Sequence, residues 1–400
     1  MQPVRDYYAV KKLRQLLQLF SLYVIFLLGG NEMLTYFTVK NFKGFKDELV
    51  FDLSNTKNYE FSSSAIKNGI VSKALIYGPN GCGKSNLGLA IFDLVLHLTD
   101  KEKLFKNYPV YLNLDSDEKY ASFSYNFVFS DVCVKYNYTK YDLQKLRTEE
   151  LIINDQIVLY FDFDNDEGYS LLEGTESLRL SSPDSKLSKL KFIYNNAILA
   201  NNLTNTVFEE MMNFVDRMLL FYSLMDRGYQ GLVMGYDILD DAIVKAGKLP
   251  EFESFLHKAG INERLKSRDI NGQHEIGFQY KNGTIPFNQV ASTGTKSLEL
   301  FFYWYLKMSQ ASFVFIDEFD AFYHYELAEL IINELLNHED IQVILSTHNT
   351  DLISNDLLRP DCYFNMGDNK IQSLSTLTYK ELRKAHNIQK MYKAGAFNAD

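Results

Sequence analysis

A lysine and a serine behind a glycine-rich loop carry the clearest chemistry in this chain. Residues 78–85 read Gly-Pro-Asn-Gly-Cys-Gly-Lys-Ser, the pattern Gly-x-x-x-x-Gly-Lys-Ser. They directly follow an apolar run (73–77) and directly precede an apolar-rich helical pattern (87–98). Strand, loop and helix in this order form a phosphate-binding P-loop. Gly78, Gly81 and Gly83 let the loop's backbone N–H groups turn inward toward an anion, with Pro79, Asn80 and Cys82 completing the loop, and the helix opening at Lys84, Ser85 and Asn86 adds its positive end. Lys84 is expected to reach the β- and γ-phosphates of a nucleotide, and the Ser85 hydroxyl to hold Mg²⁺. A chance glycine-rich turn is the plainer alternative, and the context on both sides argues against it.

A second set of residues completes the chemistry. Phe313, Val314, Phe315 and Ile316 form a buried-strand pattern ending in Asp317 and Glu318. The carboxyl end of such a strand is where α/β sheets bind ligands. Asp317 is expected to orient the Mg²⁺, and Glu318 to polarise the water that attacks the γ-phosphate. Acidic pairs after apolar runs are common alone; following a P-loop, in this order, the pair reads as catalytic. His348 ends the next strand pattern (341–345) and is placed to donate a hydrogen bond to the γ-phosphate, although a lone histidine is more often structural. Ser292, Thr293, Gly294, Thr295 and Lys296 open a helix and make another anion cradle, or an ordinary helix cap. One chain cannot bring both cradles to one γ-phosphate, whereas two chains arranged head to tail can. A closed two-fold dimer is therefore expected, each copy completing the other's site.

The elements that must position these groups follow from periodicity. Residues 34–39 and 47–53 read as strands around an Asn-Phe-Lys-Gly-Phe turn at 41–45. Residues 121–129, 132–138 and 152–163 alternate apolar with polar and read as an antiparallel sheet. From 185 to about 257 the pattern turns helical, with Val207, Met211, Phe214, Val215, Met218 and Tyr222 on one face and a modest basic patch at Lys186, Lys189 and Lys191. This stretch lacks the sustained heptads of a coiled-coil arm and reads as a compact helical lid. Residues 274–280 read as a further strand. Beyond them helix (297–308), strand (313–316), helix (325–336) and strand (341–345) alternate, which implies parallel strands with right-handed crossovers.

Composition sets bounds. The 400 residues are 46% hydrophobic and 23% charged, a globular balance, with 27 Tyr and 30 Phe as core and interface material. A net charge of −10 argues against tight nucleic-acid binding through diffuse charge, though a local basic face remains open. Cys82, Cys133 and Cys362 are too scattered for a disulfide framework or a zinc site and fit a reducing compartment. Arg5, Lys11, Lys12 and Arg14 precede an apolar stretch at 16–28. That stretch is short for a span of ~20 residues. It reads as a dispensable extension before a true start at Met33, as a membrane or partner anchor, or as a signal peptide. A nucleotide site favours a cytoplasmic location.

Together these motifs resemble the ABC-class ATPase heads of the SMC, RecF and OLD-like group, within the AAA-15/AAA-21 set of bacterial ATP-binding proteins. The matching stretches are the turn at 41–45, the P-loop at 78–85, Ser292 to Lys296 in place of the family's signature motif, the acidic strand end at 313–318, and Leu345 to His348. The resemblance implies an α/β P-loop NTPase of ABC-ATPase type, with an N-terminal antiparallel β subdomain and a helical lid insertion. It implies that two heads sandwich two ATP molecules, with Ser292 and Gly294 contacting the nucleotide of the opposite chain. Glu318 is then the catalytic carboxylate and His348 the switch histidine. Asp320 and His324 match the stretch after the carboxylates, but Tyr-His-Tyr stands where the group has Leu-His-Pro, which leaves the role of His324 open. No glutamine near 113–126 fills the group's glutamine-loop position.

The organisation this implies is an N-terminal extension (1–32), an ATPase lobe with the P-loop and β subdomain (33–184), the helical lid (185–270), a second ATPase lobe (271–374) and a basic C-terminal helix (375–400). The chain ends too soon after His348 for a Toprim domain, so any nuclease is expected on a separate polypeptide. The expected function is an ATPase that dimerises around ATP and regulates a separate effector, a nuclease or Toprim protein, in anti-phage defence. The rival is a RecF- or SMC-like clamp on DNA, which would need a basic groove. A non-hydrolysing nucleotide-gated scaffold is a third class, against which Glu318 speaks. A membrane-bound transporter subunit fits least.

Overall fold

The structure is a computed structural model, and it describes residues 32–101, 110–181, 187–222, 229–231, 239–321, 323 and 325–397. The basic apolar segment at the N-terminus, Lys186 and His324 lie outside the described residues. Among the described residues no helix is long and apolar enough to cross a membrane.

Two seven-stranded sheets organise the chain. The first is antiparallel throughout, in the order Glu167–Ser170, Gln156–Asp162, Leu146–Ile153, Val132–Lys140, Ala121–Phe129, Met33–Lys40, Leu49–Asp52. Strict alternation gives it one apolar face: Ala121, Phe123, Tyr125, Phe127 and Phe129 are all buried. The stretch 152–163, read above as one strand, is instead a hairpin that turns at Asn154 and Asp155. Both turn residues have positive φ (48° and 61°), which polar Asn and Asp tolerate.

The second sheet has a parallel core in the order Leu219–Tyr222, Phe313–Asp317, Gln342–Thr347, Lys73–Tyr77, Tyr363–Gly367. Antiparallel edge strands Tyr229–Gly231 and Lys370–Ser373 close it. Its central strands are buried along their whole length, as a sheet covered on both faces requires. The two sheets are joined by the buried Gln342 amide. Its Oε1 accepts from Leu34 N (3.0 Å), and its Nε2 donates to Leu34 O (2.9 Å) and Val71 O (2.9 Å).

The segment read as helical from 185 to 257 holds the helices Lys189–Asn196, Leu203–Asp216, Leu239–Lys245 and Leu249–Lys258. It also supplies the strand Leu219–Tyr222, which pairs with the acidic strand Phe313–Asp317. Met218 and Tyr222 therefore lie beyond the helix. An apolar run of four or five residues reads equally well as strand or helix, and the open edge of the sheet decides it. The helix Leu203–Asp216 packs Val207, Met211, Phe214 and Val215 inward, and Phe214 meets Phe127 and Phe129 of the antiparallel sheet edge-on.

The expected basic helix at the C-terminus is much shorter: among the described residues of that segment only Ile388–Lys393 is helical. The Asn355 amide takes the carbonyls of Arg383, Lys384 and His386, which a helix would have used internally. Asn387 then caps the short helix by accepting from Lys390 N.

Candidate nucleotide site

The parallel strands aim their ends at one place. Ile316 pairs with Leu345, Leu345 with Leu75, and Thr347 with Tyr77, so Asp317, His348 and Gly78 leave the sheet along the same edge. The P-loop strand Lys73–Tyr77 runs into the loop, and the helix Lys84–Ile91 leaves it. A break at Phe92 separates that helix from Asp93–Leu98, so the pattern at 87–98 is two helices rather than one.

The loop's glycines are needed sterically. Gly81 and Gly83 have φ of 78° and 106°, in the region that disfavours side chains. A Cβ on Gly78 would lie 2.3 Å from Met366 O, and one on Gly83 would lie 2.9 Å from the Phe45 ring. The Asn-Phe-Lys-Gly-Phe turn thus packs directly on the P-loop. It is closed by paired hydrogen bonds between Phe42 and Phe45 (2.9 and 2.8 Å), with Asn41 and Lys43 at positive φ.

Lys84 is almost fully buried, and its Nζ donates to Gly78 O (2.9 Å) and Pro79 O (3.3 Å). Burial pulls its pKa below the usual lysine value, while Cys82, Asp317 and Glu318 pull the other way. The same Nζ lies 3.2 Å from His348 Nδ1, and His348 Nε2 lies 3.4 Å from Glu318 Oε1. A lysine ammonium can only donate, so Nδ1 accepts and the ring proton is assigned to Nε2, facing the carboxylate. Lys84, His348 and Glu318 form one continuous chain of groups.

Asp317 is buried and accepts at 2.6 Å from the Ser346 hydroxyl. Glu318 has φ of 46°, which costs a non-glycine residue about 1–2 kcal/mol. Its backbone N–H donates to Ser346 Oγ at 2.8 Å. Asp320 Oδ2 accepts from Thr347 Oγ1 (2.7 Å), and burial pushes the Asp320 carboxyl above the usual carboxylate range. Tyr323 OH donates to Ser297 O (2.9 Å), which ties the stretch after Glu318 to the helix Thr293–Met308.

Ser292 caps that helix: its Oγ accepts from Thr295 N at 3.1 Å. Ser292 and Thr293 are exposed, and Gly294 and Lys296 are half-buried, so this helix start faces outward.

Mg²⁺ takes hard oxygen donors in an octahedron and keeps several waters. The Ser85 hydroxyl and the Asp317 carboxylate suit it, Ser85 opening the helix one residue after Lys84 and Asp317 closing a strand at the same sheet edge. Among the described residues no group of three or more His, Cys, Asp and Glu side chains is placed to hold a metal ion by itself. Ser346 and Thr347 received no role from the sequence, although a Ser-Thr pair between an apolar strand and a histidine, opposite an Asp-Glu pair, is the available signal.

A family model described as "AAA domain, putative AbiEii toxin, Type IV TA system" matches residues 73–354. No curated protein matches the chain. Among solved structures it is similar to an SMC head bound to the C-terminal winged-helix domain of ScpA, at 16% identity and a TM-score of 0.45, covering 86% of this chain and 98% of that one. It is also similar to the SMC head domain from Thermotoga maritima, at 15% identity and a TM-score of 0.41, covering 85% and 97%. A third is the Smc head with an extended coiled coil bound to the C-terminal domain of ScpA derived from Pyrococcus furiosus, at 14% identity and a TM-score of 0.42, covering 86% and 97%.

Proposed function

The chain belongs to this AAA-domain family, and from that premise we propose that it binds ATP with Mg²⁺, closes as a dimer around the nucleotide, and hydrolyses it to ADP and phosphate. The observation that carries the reading is the linkage of Lys84, His348 and Glu318 at the end of the parallel sheet (3.2 and 3.4 Å).

Each group has a task. The backbone N–H groups of residues 80–86 and the Lys84 ammonium surround the β- and γ-phosphates. Mg²⁺, held by Ser85 and Asp317, would neutralise charge on the phosphate oxygens. Glu318 takes the proton of the attacking water. His348, with its proton on Nε2, holds Glu318 in place and is positioned to switch that hydrogen bond to the γ-phosphate. Most of the acceleration comes from placement and charge, as expected for phosphoryl transfer.

The exposed start of the helix at Ser292 supports dimerisation. Capped and facing outward, Ser292, Gly294 and Lys296 are available to a nucleotide on a second copy. The bond from Tyr323 to Ser297 gives that helix a route to the hydrolytic carboxylate. A role in which opening and closing regulates a separate effector rests on the motif resemblance and on the toxin–antitoxin description of the family. Anti-phage defence and a cytoplasmic location rest on the resemblance and on the unpaired cysteines Cys82, Cys133 and Cys362.

Sedimentation velocity of Glu318→Gln with and without ATP and Mg²⁺ tests the reading. The variant is expected to convert to a stable dimer with ATP; a monomer at saturating ATP would overturn the sandwich.

A further inference from the structure

Ser346 is the last residue of the strand Gln342–Thr347 before its final threonine, and it is completely buried. The regular ladder between this strand and the acidic strand ends at Ile316 opposite Leu345. Beyond that point one residue replaces the ladder. The Ser346 hydroxyl donates to Asp317 Oδ1 (2.6 Å) and accepts from Glu318 N (2.8 Å), while the Ser346 carbonyl accepts from Phe319 N (3.1 Å). Three consecutive residues of the acidic segment are thereby tied to a single neighbour.

The middle residue of the three is the one with left-handed backbone, Glu318 at φ 46°. An L side chain adopts that conformation when its surroundings determine it. The hydrogen bond from Glu318 N to Ser346 Oγ is the direct restraint on that peptide. With the backbone turned this way, Glu318 Oε1 comes within 3.4 Å of His348 Nε2, two residues along the chain from Ser346. Donation and acceptance by one hydroxyl also fix its proton on the side of Asp317.

We infer that Ser346 is a positioning residue of the nucleotide site: its hydroxyl holds Asp317 and the turned backbone of Glu318 in register, so that the expected metal ligand and the expected base keep their relative placement. The inference rests on the hydrolytic reading of Glu318 for its consequence in turnover, but the restraint itself exists without nucleotide. Ser346 touches no substrate; it acts through the two carboxylates.

The test compares wild type, Ser346→Ala and Ser346→Thr by phosphate release, by binding of a fluorescent ATP analogue, and by amide hydrogen exchange. For Ser346→Ala the expected results are a fall in kcat of at least tenfold, an analogue Kd within threefold of wild type, and at least tenfold faster exchange at residues 317–319 with residues 78–85 unchanged. Ser346→Thr, which keeps the hydroxyl, is expected to recover slow exchange and most of kcat. Unchanged exchange at residues 317–319 in a folded Ser346→Ala overturns the inference whatever the turnover. So does an equal loss of kcat and binding, which marks a general structural defect. Absence of phosphate release from wild type would overturn the hydrolytic reading instead, and the exchange measurement would still decide the restraint.

Discussion

The Nζ of Lys84 lies 3.2 Å from Nδ1 of His348, across 264 residues of sequence. A helix start and a strand end meet here because the P-loop strand and the strand Gln342–Thr347 are direct neighbours in the sheet. The contact makes Lys84 and His348 parts of one unit, which ends at Glu318.

Lys84→Ala removes the ammonium that, on the proposed reading, meets the phosphates. We expect ATP affinity to fall at least 100-fold, about 2.7 kcal/mol. Isothermal titration with ATP and Mg²⁺ checks this, and wild-type affinity in the variant would exclude the P-loop as the nucleotide site.

His348→Ala leaves Glu318 without its neighbour at 3.4 Å while leaving the loop glycines untouched. The expected effect is a fall in kcat of ~10²-fold with KM changed far less, the pattern of a group that acts in the transition state. A proportional rise in KM with kcat intact would reassign His348 to ground-state binding.

Gly78→Ala drives a Cβ to 2.3 Å from Met366 O and 2.6 Å from Cys82 Sγ. The first neighbour is backbone and cannot swing aside. Thermal unfolding should show a loss of roughly 1–3 kcal/mol, the usual cost of overpacking, together with weakened ATP binding. A variant as stable as wild type would mean that the strand Tyr363–Gly367 yields at that point.

The resemblance drawn from the motifs named the AAA-15/AAA-21 set, and the family match bears it out. The central parallel strands were legible because fully buried strands are short unbroken apolar runs ended by Gly, Asp-Glu or Ser-Thr. The hairpin at Asn154 and Asp155 escapes the sequence reading because the apolar runs on either side of it, Leu151 to Ile153 and Ile157 to Leu159, are separated by only three polar residues and merge into one strand pattern. The strand Leu219–Tyr222 was read as helix because its partner, Phe313–Asp317, lies far along the chain. The C-terminal segment failed for a related reason: Asn355, a distant side chain, captures its carbonyls. Ser346 is invisible to periodicity, since its importance depends on lying beside a backbone turn that only the fold reveals.

Lys73 gives a test through pH. Its Nζ is buried at the start of the P-loop strand, donates to Ile341 O (2.7 Å), and burial lowers its pKa from 10.5 to about 8. The unfolded chain then holds this proton more tightly than the folded one between about pH 8 and 10.5. Stability contributed at this position therefore rises across that window, and the cost is fully present below it. Relative to Lys73→Met, wild type should gain up to about 3 kcal/mol between pH 7.5 and 10.5. Urea unfolding at several pH values measures the difference, and a flat difference would place Lys73 in a solvated environment.

The most direct measurement of the central claim is phosphate release from ATP by wild type and Glu318→Gln under single-turnover conditions. The account predicts hydrolysis by wild type and a rate at least 10²-fold lower in the variant, with ATP still bound. Equal rates in the two proteins, or no release from wild type with Mg²⁺ present, would contradict it.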